Sequence, residues 1–549
     1  MATKICGLYI NPPIAIARLG GSSAPLEAYQ WIASPDPRAN GGTAVAADWS
    51  LRVRADATVE PYRPTEIQFR DGYLIRPVCP FFEVHALVGD PKTSPDTWTS
   101  APLTAALLES DGLRPHDVRL TIDAQNHKAF RRTKKAELRF GTFPPVVVAA
   151  NNYDPVPLSA VSPPDAAVPM IPAGRSIPLG SIQCLRGIAQ PPESGATWAV
   201  GPNAVRVDVL RFRFTPAKGY SYGPPQAARA LETPAPRSKI PPVDPSRAFL
   251  DPAARWWKAK VNTLIAPQDT YDGAHTGRKT SFGVVDDTCE VAVTVALRDG
   301  ARALSARCNI FVGPPDFAPD HRPFLSLADE LNDRVGDDAV RNAAMSPVDR
   351  DAWVQDLFAR IYETLSLMNV DVWRAAFAVP LTTEQMARRK IVGDAMPSPR
   401  NALGGYDKLR DPLVAIARSN STKPLPITER ARDRHRALMD LDELRNTIAR
   451  DPGLIRRLIR APFEVDLVEA RRGDTTMRMP PFMRNSNAFP LTLSGWQHDL
   501  LMNWVAGIEA GGDTVPSASE SAFAVRADTR QQAVLTRTRA RPRARARKP

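Results

Sequence analysis

No stretch of this 549-residue chain approaches the roughly 20 consecutive apolar residues that a bilayer-spanning helix needs. Met1 to Gly21 carries one lysine before Ile5 and prolines at 12 and 13, so it lacks the continuous apolar core and small-residue cleavage site of a secretory signal. A cytoplasmic protein without a membrane partner is the expectation. Cysteine is scarce: Cys6, Cys79, Cys184, Cys289 and Cys308 are odd in number and none are spaced like metal ligands, which reads as buried, reduced thiols. The seven histidines, at 85, 116, 127, 275, 321, 435 and 498, form no HxH or HExxH pair, which disfavours a histidine-held metal. No GxSxG nucleophile elbow occurs, and Gly20-Gly21-Ser22-Ser23 is not followed by GK[ST]. It reads as a turn more readily than as an anion cradle.

Charge is also scarce outside one end. The net charge of +12 includes +8 from residues 526–549, with eight Arg and one Lys against one Asp, leaving +4 for the rest. A nearly neutral body does not mark a nucleic-acid binder. The tail, 510–549, has too little apolar surface to fold and is expected to be disordered. Its arginines suit a polyanion, simple solvation or an acidic partner, and the sequence leaves all three open.

What is present is ample apolar mass, 43% of residues, enough for two to four domains, and 54 prolines. Prolines concentrate between 143 and 252, which excludes a regular helical bundle there and suits short strands joined by ordered loops. Val205 to Phe214 alternates apolar and polar residues, predicting a strand with one buried and one wet face. Glu290 to Leu297 does the same; Asp299-Gly300 then turns the chain into a returning strand over 301–312. Arg119–Asp123 and Ala136–Phe140 are further expected strands. From about 324 the period changes. Ser346-Pro347-Val348-Asp349 opens a helix, and Trp353, Leu357, Ile361 and Leu365 recur on one face. A charged helix over 427–450 has Ala437, Leu438, Leu441, Leu444 and Ile448 as its apolar stripe, and a short helix over 494–505 carries Trp496, Leu500 and Trp504. The expected fold is α+β: a β-rich N-terminal domain (1–223), a Pro-rich linker or strapping loop (224–252), a β-rich central part (253–323), a mainly helical region (324–509) and the basic tail (510–549).

Two local constellations invite chemistry. Asp286-Asp287 could pair as metal ligands or as acid and base, but adjacent strand residues face opposite sides, so a turn capping the entering strand fits better. Trp256-Trp257, beside Lys258 and Lys260, suits core packing at a domain edge better than ligand stacking.

Several phrases, in order, resemble the lysine-epsilon-oxidase-like and glycine-oxidase-like quinoprotein family. They are Asn11-Pro12-Pro13-Ile14-Ala15-Ile16-Ala17-Arg18-Leu19-Gly20, Gln125-Asn126-His127-Lys128-Ala129 and Val285-Asp286-Asp287-Thr288-Cys289-Glu290-Val291. Then come Phe311-Val312-Gly313-Pro314-Pro315-Asp316-Phe317-Ala318-Pro319, Met479-Pro480 and Leu491 to Gly507. The resemblance implies oxidative deamination of a primary amine with oxygen, giving ammonia and peroxide, on a cysteine tryptophylquinone. In that family the cysteine and tryptophan lie in Cys-Val-Gly-Gly-like and Pro-Trp-Gln-Ala-Asp-Phe-like phrases beyond the position matching Gly507. Here only 42 residues follow Gly507, with neither residue type among them, and no cysteine follows Cys308. The expectation is therefore no cofactor in this chain alone, and no catalytic, cofactor-binding or metal residue to carry over. The chain reads as a non-catalytic homologue or as the scaffold half of a split oxidase whose second chain brings the quinone; a homo-oligomer is also open. One alternative is an active oxidase in which Trp496-Gln497-His498-Asp499 is itself the quinone phrase. A direct link from Trp496 to Trp504 is disfavoured, since eight helical residues span about 12 Å. Another alternative is a structural or polyanion-binding protein acting through its tail.

Overall fold

A computed structural model describes residues 4–33, 43–188 except 134, 205–228, 243–254 and 283–316 except 301, parts of 319–366, 441–450, parts of 453–462, and 493–510. The chain divides into two units: one takes Met1–Tyr29 and Ala47–Phe317, the other Gln30–Ala46 and Ala318–Pro549.

The first unit is β-rich. One six-stranded sheet runs Lys4–Asn11, Phe81–Gly89, Arg211–Pro216, Ile177–Leu185, Val156–Ala160, with Thr99–Pro102 also pairing Phe81–Gly89. A second runs Phe140–Gly141, Val118–Asn126, Glu290–Asp299, Arg302–Gly313, Ile14–Arg18, with Val146–Ala149 also on Val118–Asn126. The Ile14–Arg18 pairing is parallel; the other ladders named here are antiparallel. Period-2 patterning explains the core. Val118, Leu120, Ile122 and Ala124 alternate inward, opposite Val291, Val293, Val295 and Leu297 on the neighbouring strand. Phe82 and Phe212, both fully buried, stack at 4.9 Å and join the same apolar cluster. Burying each such side chain is worth about 1.5–3 kcal/mol. The expected hairpin is present, and Gly300, at φ +53°, supplies the left-handed turn between its strands.

Three expectations are corrected. Residues 205–214 enter the sheet only at Arg211, and the wet face holds at exposed Arg206 but not at Arg211, which is 1% exposed. Glu83 makes that burial tolerable, accepting from Arg211 Nε at 3.1 Å and from Nη2. Ala136–Leu138 forms a 3₁₀ turn, leaving only Phe140–Gly141 as strand. Residues 1–223 and 253–323 do not separate as sheets, because Val118–Asn126 pairs directly with Glu290–Asp299.

The proline-rich region supplies short strands and 3₁₀ turns that open on proline, at Pro225–Ala227, Pro245–Arg247 and Pro252–Ala254. Around 224–252 the described ends are packed, with Ala227, Val243, Ala248 and Val284 forming a small cluster. Residues 229–242 lie outside the described set.

In the second unit, helices Leu327–Val335, Pro347–Ser366, Leu441–Arg450 and Gly495–Glu509 are described. The Ser346 hydroxyl accepts from Asp349 N (3.2 Å) and donates to its carboxylate (2.8 Å), with Pro347 at the first helical position, as the sequence signals. Val354, Leu357, Phe358, Leu441, Ile448, Trp496, Leu500 and Trp504 share one core. The side chains of Ile361 and Leu365, and residues 427–440, lie outside the described set. No helix among the described residues is long and apolar enough to cross a membrane.

Candidate functional site

Four of the quoted phrases meet at one end of the second sheet. Register places Gln125 opposite Glu290, Glu290 opposite Phe311, and Phe311 opposite Ile16. The row runs across the outer face, where Ile16 and Phe311 stay 40% and 44% exposed. At its far side Leu19 N donates to the carbonyl of Gly313 (3.0 Å), and Arg18 reaches the carbonyl of Pro314 (3.2 Å) and Asp316 (3.8 Å).

Beside this row, residues about 160 apart are clasped. Asn126 is fully buried; its Nδ2 donates to the carbonyl of Asp286 at 2.9 Å, and its Oδ1 accepts from Lys128 N at 3.0 Å. That second bond starts the short helix Lys128–Thr133, which aims the Lys128 ammonium at Asp286 Oδ2 as an ion pair. The other Asp286 oxygen accepts from Thr288 N (3.2 Å) and Thr288 Oγ1 (2.6 Å). Asp286 is thus the turn cap of the entering strand. Its neighbour faces elsewhere: Asp287 Oδ2 accepts from the backbone N–H groups of Gly219 (3.1 Å) and Tyr220 (3.0 Å). Burial pushes the Asp287 carboxyl up to about 6, against those two N–H groups, and the charge of Asp286 adds to the rise. Its Oδ1 is buried with no hydrogen-bond partner. An acid that holds its proton so near neutrality has the pKa of a general acid or base. At 1% exposure, with Oδ2 committed to the 219–220 loop, it acts here as the loop's anchor.

His127 completes the cluster. Its Nε2 lies 2.9 Å from Gln125 Oε1, and its Nδ1 lies 3.2 Å from Glu290 Oε2. The Gln125 amide is oriented by its own Nε2 donating to Asp123 (2.9 Å), so His127 Nε2 is assigned the proton. Two acceptors facing the ring favour imidazolium, whereas burial, then the guanidiniums of Arg131 and Arg139, lower its pKa. With Arg131 already on Glu290 and the ring's pKa lowered, we assign the neutral ring at pH 7.

No protein-family model, curated protein or solved structure matches the chain.

Among the described residues no three His, Cys, Asp or Glu side chains converge as metal ligands. The cysteines form no disulfide, and burial pushes Cys79 up to about 11, Cys184 to about 12 and Cys308 to about 12, and Cys289 higher still; such thiols are poor nucleophiles. Trp496 packs edge-on against Trp353 at 4.9 Å and is 2% exposed. Trp504 Nε1 donates to Asp351 Oδ1 at 2.8 Å, and Asp351 also takes Arg445 at 2.5 Å. Gln497, from the alternative quinone phrase, turns back to accept from Ser494 N (3.1 Å), capping the helix. Gly20 is a close-approach glycine, since a Cβ there would lie 2.6 Å from the carbonyl oxygen of Ile75. Ser22 binds back to Ile75 O (3.0 Å) and Asp71 (2.8 Å), as a turn does. Trp256-Trp257, Met479-Pro480 and the tail beyond 510 lie outside the described set.

Sequence reasoning missed the Asn126–Asp286 and Lys128–Asp286 clasp, although both phrases were visible. The signal was two polar phrases, each abutting a strand end and each with a residue suited to capping.

Proposed function

We propose that this chain is a lysine-epsilon-oxidase-like scaffold that does not itself oxidise amines and works with a second chain that supplies the quinone. The observation that carries this reading is the clasp: the Gln125–Ala129 and Val285–Val291 phrases, both part of the resemblance, meet through Lys128, Asn126 and Asp286. The lack of catalysis rests on chemistry. A tryptophylquinone needs a thiolate beside an activated indole, and the second unit, which holds Trp496 and Trp504, has no cysteine in its sequence. Both indoles are held by packing or a carboxylate in a helical core. Five cysteines without a disulfide fit a reducing, cytoplasmic setting.

Intact-mass measurement with redox-cycling quinone staining tests this directly. The expected mass is that of the bare sequence, with no stain and no peroxide released from lysine or glycine. A stained chain that yields peroxide overturns the reading and restores the active oxidase. Co-expression with a neighbouring frame that carries Cys-Val-Gly-Gly and Trp-Gln-Ala-Asp phrases is expected to give a complex that produces peroxide.

A further inference from the structure

A cleft of about 1100 Å³ opens in the first unit, at the upper end of the size that takes small organic ligands. Its wall is mostly apolar and aromatic, with Tyr29, Trp49, Tyr62 and Phe81 lining it. Four cationic side chains also line it, against a single carboxylate. That carboxylate, Glu27, is already committed to Arg76 at 2.7 Å, with both side chains largely buried. Arg52 lies over the Tyr62 ring at 4.3 Å and reaches Glu60 at 3.8 Å.

Arg213 is different. Its cross-strand partners place it between Phe81 and Gln183, inside the cleft. It donates to Gln183 Oε1 at 3.2 Å and lies 5.9 Å from the Phe81 ring centre. Its Nε is buried without a hydrogen-bond partner. Burial lowers its pKa, and the one ionisable group opposing that is the Cys79 thiol, itself neutral with its pKa pushed up to about 11. No carboxylate among the described residues pairs with it. Lys218 stands exposed at the cleft's edge, likewise without an ion pair among the described residues. A partly desolvated guanidinium without a counter-charge is costly to keep, and an anion bound beside it removes that cost.

We propose that this cleft binds a small organic anion, a carboxylate or phosphate monoester on an aromatic or apolar body, with Arg213 as its counter-charge. The anionic head lies against Arg213, whose planar fork suits carboxylate and phosphate alike. The body stacks on the aromatic wall. Lys218 draws the anion in at the rim, an effect that salt weakens. Since Glu27 is spent on Arg76, the cleft offers no free carboxylate among the described residues for an ammonium group. It therefore prefers acids to the matching amino acids, and this specificity is independent of any amine oxidation.

Calorimetric titration of the full chain tests the proposal with four probes: 3-phenylpropionate, phenyl phosphate, phenylalanine and phenethylamine. At least one of the first two binds at one site per chain, and their ratio tells carboxylate from phosphate. Phenylalanine binds at least tenfold more weakly than 3-phenylpropionate if the carboxylate is the head, and phenethylamine does not bind. Arg213→Gln lowers the anion's affinity at least tenfold while Arg213→Lys recovers part of it. Lys218→Gln, at an exposed position that folding does not need, lowers affinity about threefold and flattens its salt dependence. Absence of binding by both anions, equal binding of phenethylamine, or either neutral variant folding yet keeping the parent affinity overturns the proposal.

Discussion

The two units are held together by different physics. In the first, long strands bury apolar rows on alternating positions, with buried charges tied at points such as Arg211–Glu83 and Lys128–Asp286. In the second, the core is smaller and charge reaches into it. Arg360 bridges Asp329 (3.1 Å) and Asp356 (2.6 Å), Arg322 adds to Asp356 (2.6 Å), and Arg445 ties Asp351 beside Trp504. Asp333 takes the helix N-terminal amides of Gly495 (2.6 Å) and Trp496 (2.8 Å). A sheet satisfies its own backbone through its ladders, whereas short helices leave ends that side chains must satisfy. The difference teaches that the first unit should fail through cavities and the second through stranded charges.

Phe212→Ala tests the cavity side most sharply. The ring is fully buried and stacked on Phe82, so its loss is expected to cost about 3–5 kcal/mol in the unfolding transition of the first unit. Denaturant unfolding read by near-UV circular dichroism checks this; a cost below about 1 kcal/mol would contradict the packing described. On the charge side, Arg360→Met strands buried Asp329 and removes one of two arginines from buried Asp356, and is expected to cost about 3 kcal/mol in the second unit. Arg322 stays on Asp356, so adding Asp329→Asn should recover part of the loss; no recovery would show that the network is not what holds the helices.

The buried carboxyl of Asp287 gives the first unit a pH signature that the second should not share. Its folded pKa of about 6 lies above the unfolded value near 3.8. Below about pH 4 both states hold the proton; between about 4 and 6 only the folded state does, so stability falls as pH rises and the penalty is complete above 6. The size is on the order of 2–3 kcal/mol. Asp287→Asn keeps an acceptor for Gly219 and Tyr220 and should flatten that window; an unchanged slope between pH 4 and 6.5 would remove Asp287 as its source. The smallest expected effect is at a helix cap. Asp333 binds the amides of Gly495 and Trp496, so Asp333→Ala should cost about 1–2 kcal/mol. A loss below about 0.3 kcal/mol, measured by thermal melting, would contradict this.

Legibility followed locality. The Glu290–Asp299 hairpin, the 347–366 helix and the Trp496 helix were readable because period, turn glycine and cap lie within a few residues of one another. Arg211–Pro216 was half readable: alternation announced a strand, but a solvent face was assigned to arginines that Glu83 and the cleft in fact enclose. Ala136–Leu138 misled because an alternating pentapeptide is too short to outweigh the neighbouring turn. The clasp was legible only as two separate phrases. Arg213 gave no sign at all, since nothing local distinguishes a surface arginine from one without a counter-ion.

By itself, the sequence determined the Glu290–Asp299 hairpin, the openings of the Pro347 and Gly495 helices and that the body is nearly neutral, because hydrophobic period, turn chemistry and charge balance act over short spans. Tertiary structure alone decided that Asn126 and Lys128 close on Asp286, that Asp287 holds its proton toward neutral pH, and that Arg213 lines a cleft with no carboxylate among the described residues paired to it. Desolvation and pairing depend on what the folded chain brings within a few ångströms, and that distance bears no relation to separation along the chain.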